Sequence, residues 1–178
     1  MKYVLLDRDG VINQDSANFI KSADEWQALP QSLEAIALLN QQGYEVVVIS
    51  NQSGLGRGLF DETALTAMHQ KMHQQLAGCG GKITAVYYCP HLPNVNCDCR
   101  KPKAGLLKNF AKDYQATLTD CYFIGDSLRD IQAGLAVGAK SILVKTGKGQ
   151  QTLNDNPTLS VPIFETLYDA TKFILSGQ

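Results

Sequence analysis

The chain has 178 residues, of which 44% are hydrophobic and 19% are charged, and its formal net charge is -1. A chain with this charge has no excess of basic residues to attract nucleic acid or an anionic membrane surface. No apolar run approaches the length of a membrane span, and Met1 and Lys2 lead straight into the first apolar run without a signal peptide. We therefore expect one globular, cytoplasmic domain over residues 1–178. Since no heptad pattern or exposed apolar helix face stands out, we expect a monomer.

The first apolar run, residues 3–6, ends at Asp7 and Asp9, and Gly10 follows directly. If the run is a buried strand, both carboxylates lie in the crevice where open α/β sheets bind their ligands. Two carboxylates this close repel each other unless a cation lies between them, and Mg²⁺ meets that need. Asp7 is thus a candidate nucleophile for phosphoryl transfer. The alternative is that both aspartates are turn residues that end a strand.

Helices and strands alternate along the rest of the chain. Apolar residues at helical spacing predict a helix that Ser32 caps and Gly43 ends, and then a helix that Asp61 caps. Further strands are predicted at 46–49, 83–88, 121–124, 141–144 and 161–164, further helices at 106–114, 128–137 and 167–175, and a loop at 150–157. This order predicts an α/β fold with a parallel sheet. His69 and His73 lie four residues apart, and we interpret them as solvated surface histidines rather than a metal pair.

Polar residues follow three of the predicted strands. Asp7 follows the first strand, Ser50 and Asn51 follow the second, and Asp126 and Ser127 follow a later one. The carboxyl ends of parallel strands lie on one edge of a sheet, so these residues can converge on one pocket.

A cysteine-rich segment follows the strand predicted at 83–88. Cys89, His91, Cys97 and Cys99 form the pattern C-x-H-x5-C-x-C. Three thiolates and one imidazole make a complete tetrahedral set for Zn²⁺, which predicts a structural zinc site.

The loop 89–102 has little apolar content, so we expect zinc to order it in place of a core. Arg100 and Lys101 lie within this loop, and both side chains suit phosphate oxygens. We hypothesise that zinc aims these two cations at the substrate. The alternative is a solvated basic turn.

The order of these motifs resembles the haloacid dehalogenase-like phosphatases: D-x-D-G, then Ser-Asn, then a lysine before a helix, then G-D-S-x-x-D. The resemblance covers nearly all of residues 1–149 and implies a three-layer, Rossmann-like fold with no large cap domain. It implies that Asp7 forms an aspartyl-phosphate and that Asp9 acts as general acid and then as general base. Mg²⁺ would be bound by Asp7, the Asp9 carbonyl and Asp126. Ser50 and Lys101 fill the places that hold the transferring phosphate.

The zinc loop is similar to that of a nearly capless subgroup, which includes heptose bisphosphate phosphatases and histidinol-phosphate phosphatases. The stretch Asn-Gln-Ser-Gly-x-x-Arg-Gly at 51–58 resembles the heptose enzymes. Arg57 has a physical use there, because a second phosphate needs a further fixed cation. The candidate substrate-binding residues are Asp15, Asn18, Asn51, Gln52, Ser53, Arg57, Arg100 and Ser127. Ser127 departs from the lysine that some of the heptose enzymes have at this place.

This resemblance implies a Mg²⁺-dependent phosphatase that acts on a small sugar bisphosphate. It would hydrolyse the 7-phosphate of D-glycero-D-manno-heptose 1,7-bisphosphate and supply heptose 1-phosphate for ADP-heptose and lipopolysaccharide core synthesis. The open alternatives are a histidinol-phosphate phosphatase, another small sugar-phosphate phosphatase, and a zinc-stabilised binding module without catalysis. A polynucleotide phosphatase is not favoured, since the chain shows no basic groove signature.

Overall fold

A parallel β-sheet runs through the middle of this computed structural model, which describes residues 1–177. Its strands are β1 (Lys2–Leu6), β2 (Tyr44–Asn51), β3 (Ala85–Cys89), β4 (Tyr122–Gly125), β5 (Lys140–Val144) and β6 (Ile163–Phe164). The helices are α1 (Ser32–Gln41), α2 (Ser53–Gly56), α3 (Glu62–Gly78), α4 (Gly105–Tyr114), α5 (Leu128–Leu135), α6 (Gly149–Asp155) and α7 (Leu167–Leu175). The predicted α/β class is confirmed.

The strand order explains where a ligand can bind. The strands lie in the order β3-β2-β1-β4-β5-β6, and the neighbours are parallel. The direction of the connections reverses between β1 and β4, so a crevice opens at the carboxyl ends of these two strands. Leu6 lies opposite Ile124 in this pair. The residues that follow, Asp7 and Asp126, therefore flank the crevice.

Alternate strand residues enter two apolar cores, one on each face of the sheet. Val4 and Leu6 lie in the core that contains α1, α3 and α7, whereas Tyr3 and Leu5 lie in the core that contains α4 and α5. Burial of each such side chain stabilises the fold by about 1.5–3 kcal/mol. Packing on both faces thus fixes the positions of the strand ends.

The prediction of a loop at 150–157 is wrong, because α6 forms there. The Gln151 side chain donates to the Asp155 carboxylate at 2.7 Å, one helical turn away. Thr152 Oγ1 donates to the Asp126 carbonyl at 2.9 Å. These contacts stabilise the helix without any apolar period, so the hydrophobic pattern did not reveal it.

The predicted cap of α1 is also wrong. Ser32 is the first residue of the helix, and Gln31 precedes it with a left-handed φ of 61°. The Ser32 hydroxyl donates to the carbonyls of Ile12 (2.6 Å) and Leu29 (2.9 Å) instead of accepting from the helix. It therefore ties the segment 7–31 to the start of α1.

Two other predicted helix boundaries are confirmed. Asp61 caps α3 by accepting from the Ala64 amide at 2.8 Å, and Gly43 follows α1 with a φ of 81°. Within residues 1–177, the longest stretches between named elements are 7–31 and 90–104, and neither forms a cap domain. Among the described residues, no helix combines the length and hydropathy needed to cross a membrane.

Candidate active site

Buried carboxylates meet at the carboxyl ends of β1 and β4. Asp7, Asp126 and Asp130 each place an oxygen within 4.8 Å of the others. Burial and the neighbouring carboxylates raise the pKa of Asp7 to about 7 and that of Asp126 to about 8. Shifts of this sign are typical of carboxylates crowded together away from water. A divalent cation bound by these oxygens would relieve the repulsion, so the donor set fits a hard ion such as Mg²⁺.

Two glycines allow this close approach. Gly10 and Gly147 have φ values of 86° and 57°, in the left-handed region. A Cβ atom on either residue would overlap Asp126 Oδ2. The Lys148 amide also donates to Asp126 Oδ2 at 2.8 Å. The segment after β5 therefore fixes the orientation of the Asp126 carboxylate.

Lys101 is the cation of the cluster, and its side chain is only 2% exposed. Its ammonium lies 3.0 Å from Asp7 Oδ1 and 2.7 Å from Asp130 Oδ1, and it donates to the Ile49 carbonyl at 2.7 Å. Burial alone would lower the pKa of Lys101, but Asp130 and Asp7 raise it above its usual value. Lys101 therefore remains charged beside Asp7.

Asp130, the last residue of the G-D-S-x-x-D motif, has two roles in the structure. Its carboxylate and Ser127 form a capping box at the start of α5. Asp130 Oδ2 accepts from the amides of Asp126 (3.2 Å) and Ser127 (3.1 Å) and from the Ser127 hydroxyl (2.9 Å). Since its Oδ1 is paired with Lys101, Asp130 serves as a cap and an ion-pair partner. Asp7 and Asp126 then remain the better candidates for a metal ion.

Asn51 connects the end of β2 to the loop that carries Lys101. Its side chain accepts from the Lys101 amide at 3.0 Å and donates to the Lys101 carbonyl at 3.1 Å. This pair of hydrogen bonds fixes the main chain of Lys101 on the sheet edge.

Asp9 has the opposite electrostatic environment to Asp7. Its Oδ1 accepts from Arg8 Nε and Asn13 Nδ2, both at 2.9 Å, and its Oδ2 accepts from Gln52 Nε2 at 3.4 Å. Burial acts to raise the pKa of Asp9, but the charge and hydrogen bond of Arg8, with those of Asn13 and Gln52, lower it below its usual range. Two aspartates that are neighbours in sequence are thus shifted in opposite directions.

A cavity of about 280 Å³ opens above these residues. The predicted site residues that line it are Asp7, Asp9, Asp15, Asn51, Ser53, Arg57, Arg100, Lys101, Asp126 and Ser127. Among the described residues, Asn18, Ser50 and Gln52 do not line it. Ser50 and Gln52 are buried, and Gln52 Nε2 donates to Ser50 Oγ at 2.8 Å.

Three arginines, Arg57, Arg100 and Arg129, face this cavity. No carboxylate of residues 1–177 forms a salt bridge with any of them. Burial lowers the pKa of Arg100, and the charges of Arg129 and Arg57 lower it further. The Arg57 guanidinium lies 5.5 Å from the Phe19 ring centroid, which holds it in place. Sequence reasoning missed Arg129. A cation in the first turn of α5 is unfavourable beside the positive end of the helix dipole, so its presence there could have indicated an anionic ligand.

The predicted zinc ligands also come together. Cys89, at the end of β3, lies with His91, Cys97 and Cys99 in one group whose ligand atoms are within 4.8 Å of one another. Their closest contacts are 2.8 to 3.9 Å long. The longest of them, the Cys89–Cys97 sulfur distance of 3.9 Å, matches the tetrahedron edge of about 3.8 Å that two Zn–S bonds define. The donor set therefore fits Zn²⁺.

A larger hollow, of about 1070 Å³, lies at the opposite edge of the sheet, near Tyr3, Tyr44 and Cys121. Among residues 1–177, no group of three or more potential metal ligands lies there. The group of carboxylates at the smaller cavity, rather than cavity volume, therefore identifies the candidate active site.

The chain is similar to several known proteins. Residues 98–170 match the HAD-hydrolase-like family. A D-glycero-beta-D-manno-heptose-1,7-bisphosphate 7-phosphatase of Neisseria meningitidis is 46% identical over 178 residues, which cover 98% of this chain and 95% of that protein. The enzyme of the same name from Bordetella bronchiseptica is 52% identical over 153 residues, 86% of each chain.

A solved structure is also similar over its whole length. It is the D,D-heptose 1,7-bisphosphate phosphatase of Bordetella bronchiseptica complexed with magnesium and phosphate. The two chains superpose with a TM-score of 0.97 at 46% identity, and the match covers 100% of each.

We expect the substitution Gly147→Ala to weaken binding of Mg²⁺ by about tenfold or more, because the new Cβ displaces Asp126 Oδ2. Calorimetric titration with Mg²⁺ measures this. The matched control is Gly43→Ala, which has the same left-handed backbone but no neighbouring atom within 4 Å. Equal affinities in the two variants would contradict the role of Gly147.

We expect the substitution Cys97→Ser to remove bound zinc, which elemental analysis of the purified protein measures. The loop 90–104 should then be cleaved by protease faster, because it loses the metal that replaces a core. Cys79→Ser is the control, since Cys79 is exposed and lies outside the cluster. Full zinc content in Cys97→Ser would rule out this ligand set.

Proposed function

The chain belongs to the D-glycero-beta-D-manno-heptose-1,7-bisphosphate 7-phosphatases, and we propose that it hydrolyses the 7-phosphate of this sugar bisphosphate. The products are heptose 1-phosphate, for ADP-heptose and lipopolysaccharide core synthesis, and inorganic phosphate. The observation that carries the proposal is the convergence of Asp7, Asp126 and Lys101 at the strand ends, in a chain 46% identical to enzymes of that name.

The magnesium site of this proposal consists of the carboxylates of Asp7 and Asp126 with the main-chain carbonyl of Asp9. The raised pKa values of Asp7 and Asp126 support it, as does the magnesium in the Bordetella relative. When bound, the ion neutralises charge on the phosphoryl oxygens and helps to position the group.

Asp7 is the nucleophile of the proposed reaction. Its Oδ1 accepts from the Arg8 amide at 2.8 Å and pairs with Lys101, whereas Oδ2 has no hydrogen-bond partner among residues 1–177. Oδ2 is therefore the oxygen available to attack phosphorus. A bond forms from Asp7 to phosphorus as the bond to the sugar oxygen breaks, which gives an aspartyl-phosphate.

Asp9 transfers the protons. It protonates the departing sugar oxygen, and its carboxylate then takes a proton from the water that attacks the aspartyl-phosphate and releases phosphate. Arg8 lowers the pKa of Asp9. The negative charge of a bound phosphoryl group raises it again, toward the range in which Asp9 carries the proton.

Lys101 and Ser50 hold the transferring phosphoryl group in this proposal. Lys101 lines the cavity and supplies a fixed positive charge beside Asp7. Although Ser50 does not line the cavity, its Oγ accepts a hydrogen bond from Gln52, so its own proton is free for a phosphoryl oxygen that binds against the end of β2.

The cluster of Arg57, Arg100 and Arg129 binds the second phosphate. Like charges gathered on a partly buried surface repel each other, and a dianion between them reverses that effect. The remaining proposed substrate contacts are Asp15, Asn51, Ser53 and Ser127, which line the cavity, whereas Asn18 and Gln52 do not line it and are not kept as contacts.

We also propose that the protein works as a monomer in the cytoplasm. Thiols at positions 89, 97 and 99 must stay reduced to bind zinc, which a reducing compartment provides.

Heptose 1,7-bisphosphate should be converted to heptose 1-phosphate, and Asp7→Asn should abolish this conversion because the amide is a poor nucleophile. Phosphorus NMR of the products identifies which phosphate is lost. Asp113→Asn is the control, because it changes an exposed carboxylate that only accepts a hydrogen bond from the Tyr87 hydroxyl. Loss of the 1-phosphate, or faster turnover of histidinol phosphate, would refute the proposed substrate.

The substitution Arg129→Gln should lower kcat/KM for heptose 1,7-bisphosphate by about tenfold, the effect of about 1.4 kcal/mol of lost phosphate binding. It should leave kcat/KM for heptose 7-phosphate nearly unchanged. Lys108→Gln removes an exposed cation of α4 and serves as the control. An equal loss with both substrates would exclude a contact of Arg129 with the second phosphate.

A further inference from the structure

Arg8 lies between the two site aspartates in sequence, yet its side chain is completely buried and does not line the cavity. A buried guanidinium is costly unless its donors are paired. Arg8 Nε lies 2.9 Å from Asp9 Oδ1, Nη2 donates to Gln52 Oε1 at 3.3 Å, and Nη1 lies 3.2 Å from His69 Nε2. Asp9 is its carboxylate partner within residues 1–177.

His69 is the part of this network that comes from another element, α3. Arg8 can only donate hydrogen bonds, so the contact requires His69 Nε2 to accept and the ring to be neutral, with its proton on Nδ1. Burial and the Arg8 charge lower the pKa of His69 to about 4, in agreement with a neutral ring. The expectation of a solvated surface histidine is thus wrong for His69, whereas His73 is exposed as predicted.

The network leaves one Asp9 oxygen with only a weak hydrogen bond. Asp9 Oδ1 is occupied by Arg8 and by Asn13, both at 2.9 Å. Oδ2 has a single long hydrogen bond, from Gln52 at 3.4 Å. Because Asp9 lines the cavity, Oδ2 is the atom that can exchange a proton with a substrate oxygen.

We propose that His69 and Arg8 are positioning residues for the acid–base reaction of Asp9. His69 holds the far end of the Arg8 guanidinium, and Arg8 holds Asp9 Oδ1 so that Oδ2 points at the leaving oxygen. The helix α3 thereby takes part in proton transfer without contacting the substrate. This inference rests on the proposed phosphatase function, but not on the identity of the sugar.

The variants His69→Asn and His69→Gln separate positioning from general stability. The Gln oxygen reaches about as far as Nε2 and can accept from Arg8, whereas the shorter Asn side chain cannot. Both variants place an amide at the same half-buried position of α3, so they perturb packing in a similar way. His73→Asn, one helical turn further along, is the control.

The measurement is kcat/KM for ring-substituted phenyl phosphates, which have one shape but different leaving groups. A phenolate needs protonation as it leaves, whereas a 4-nitrophenolate needs little. In His69→Asn, kcat/KM for phenyl phosphate should fall about tenfold more than kcat/KM for 4-nitrophenyl phosphate. His69→Gln and His73→Asn should keep the wild-type ratio.

An equal loss for both phosphates in His69→Asn would overturn the proposal, as would no loss for either. A loss in His69→Gln as large as that in His69→Asn would also overturn it. A wild-type protein that cleaves the phenyl phosphates but not heptose bisphosphate refutes the sugar assignment alone, and the positioning test still applies.

Discussion

Repulsion between carboxylates at the ends of β1 and β4 is the constraint on which the site depends. The sheet registers these strands so that Asp7 and Asp126 lie side by side, and apolar packing on both faces prevents them from separating. Their raised pKa values show that burial has an energetic cost in the ionised state. Lys101 offsets part of this repulsion, and a divalent cation would offset the rest. The fold therefore places a group of carboxylates that favours cation binding around the buried Asp7.

The need to hold Lys101 in place accounts for the arrangement of residues at this edge of the sheet. Its charge must reach the crevice from a loop that has almost no apolar residues of its own. Cys89 anchors the zinc cluster at the end of β3, Asn51 fixes the Lys101 main chain from β2, and Asp130 receives the ammonium from α5. Three elements that are distant in sequence therefore meet at one side chain. In place of a cap domain, short loops bring cations to the cavity.

The aspartates of the D-x-D motif have different properties because their partners differ. Asp7 faces other carboxylates, whereas Asp9 is paired with a buried arginine. This division suits a nucleophile and a proton-transfer group that act within one cavity. Arg8 and its partner on α3 keep the two environments apart, although the residues are neighbours in the chain.

Local sequence patterns determined the apolar strands, most helices, and the donor sets of the metal sites. A strand end and a short cysteine spacing need only neighbouring residues, so Asp7, Asp126 and the ligands from Cys89 to Cys99 could be identified in advance. Tertiary structure decided the rest. The helix α6, the hydroxyl of Ser32 and the contact of His69 with Arg8 depend on partners between 20 and 61 residues away. Such partners leave no periodic signal, because their energy comes from long-range contacts that exist only once the layers have packed.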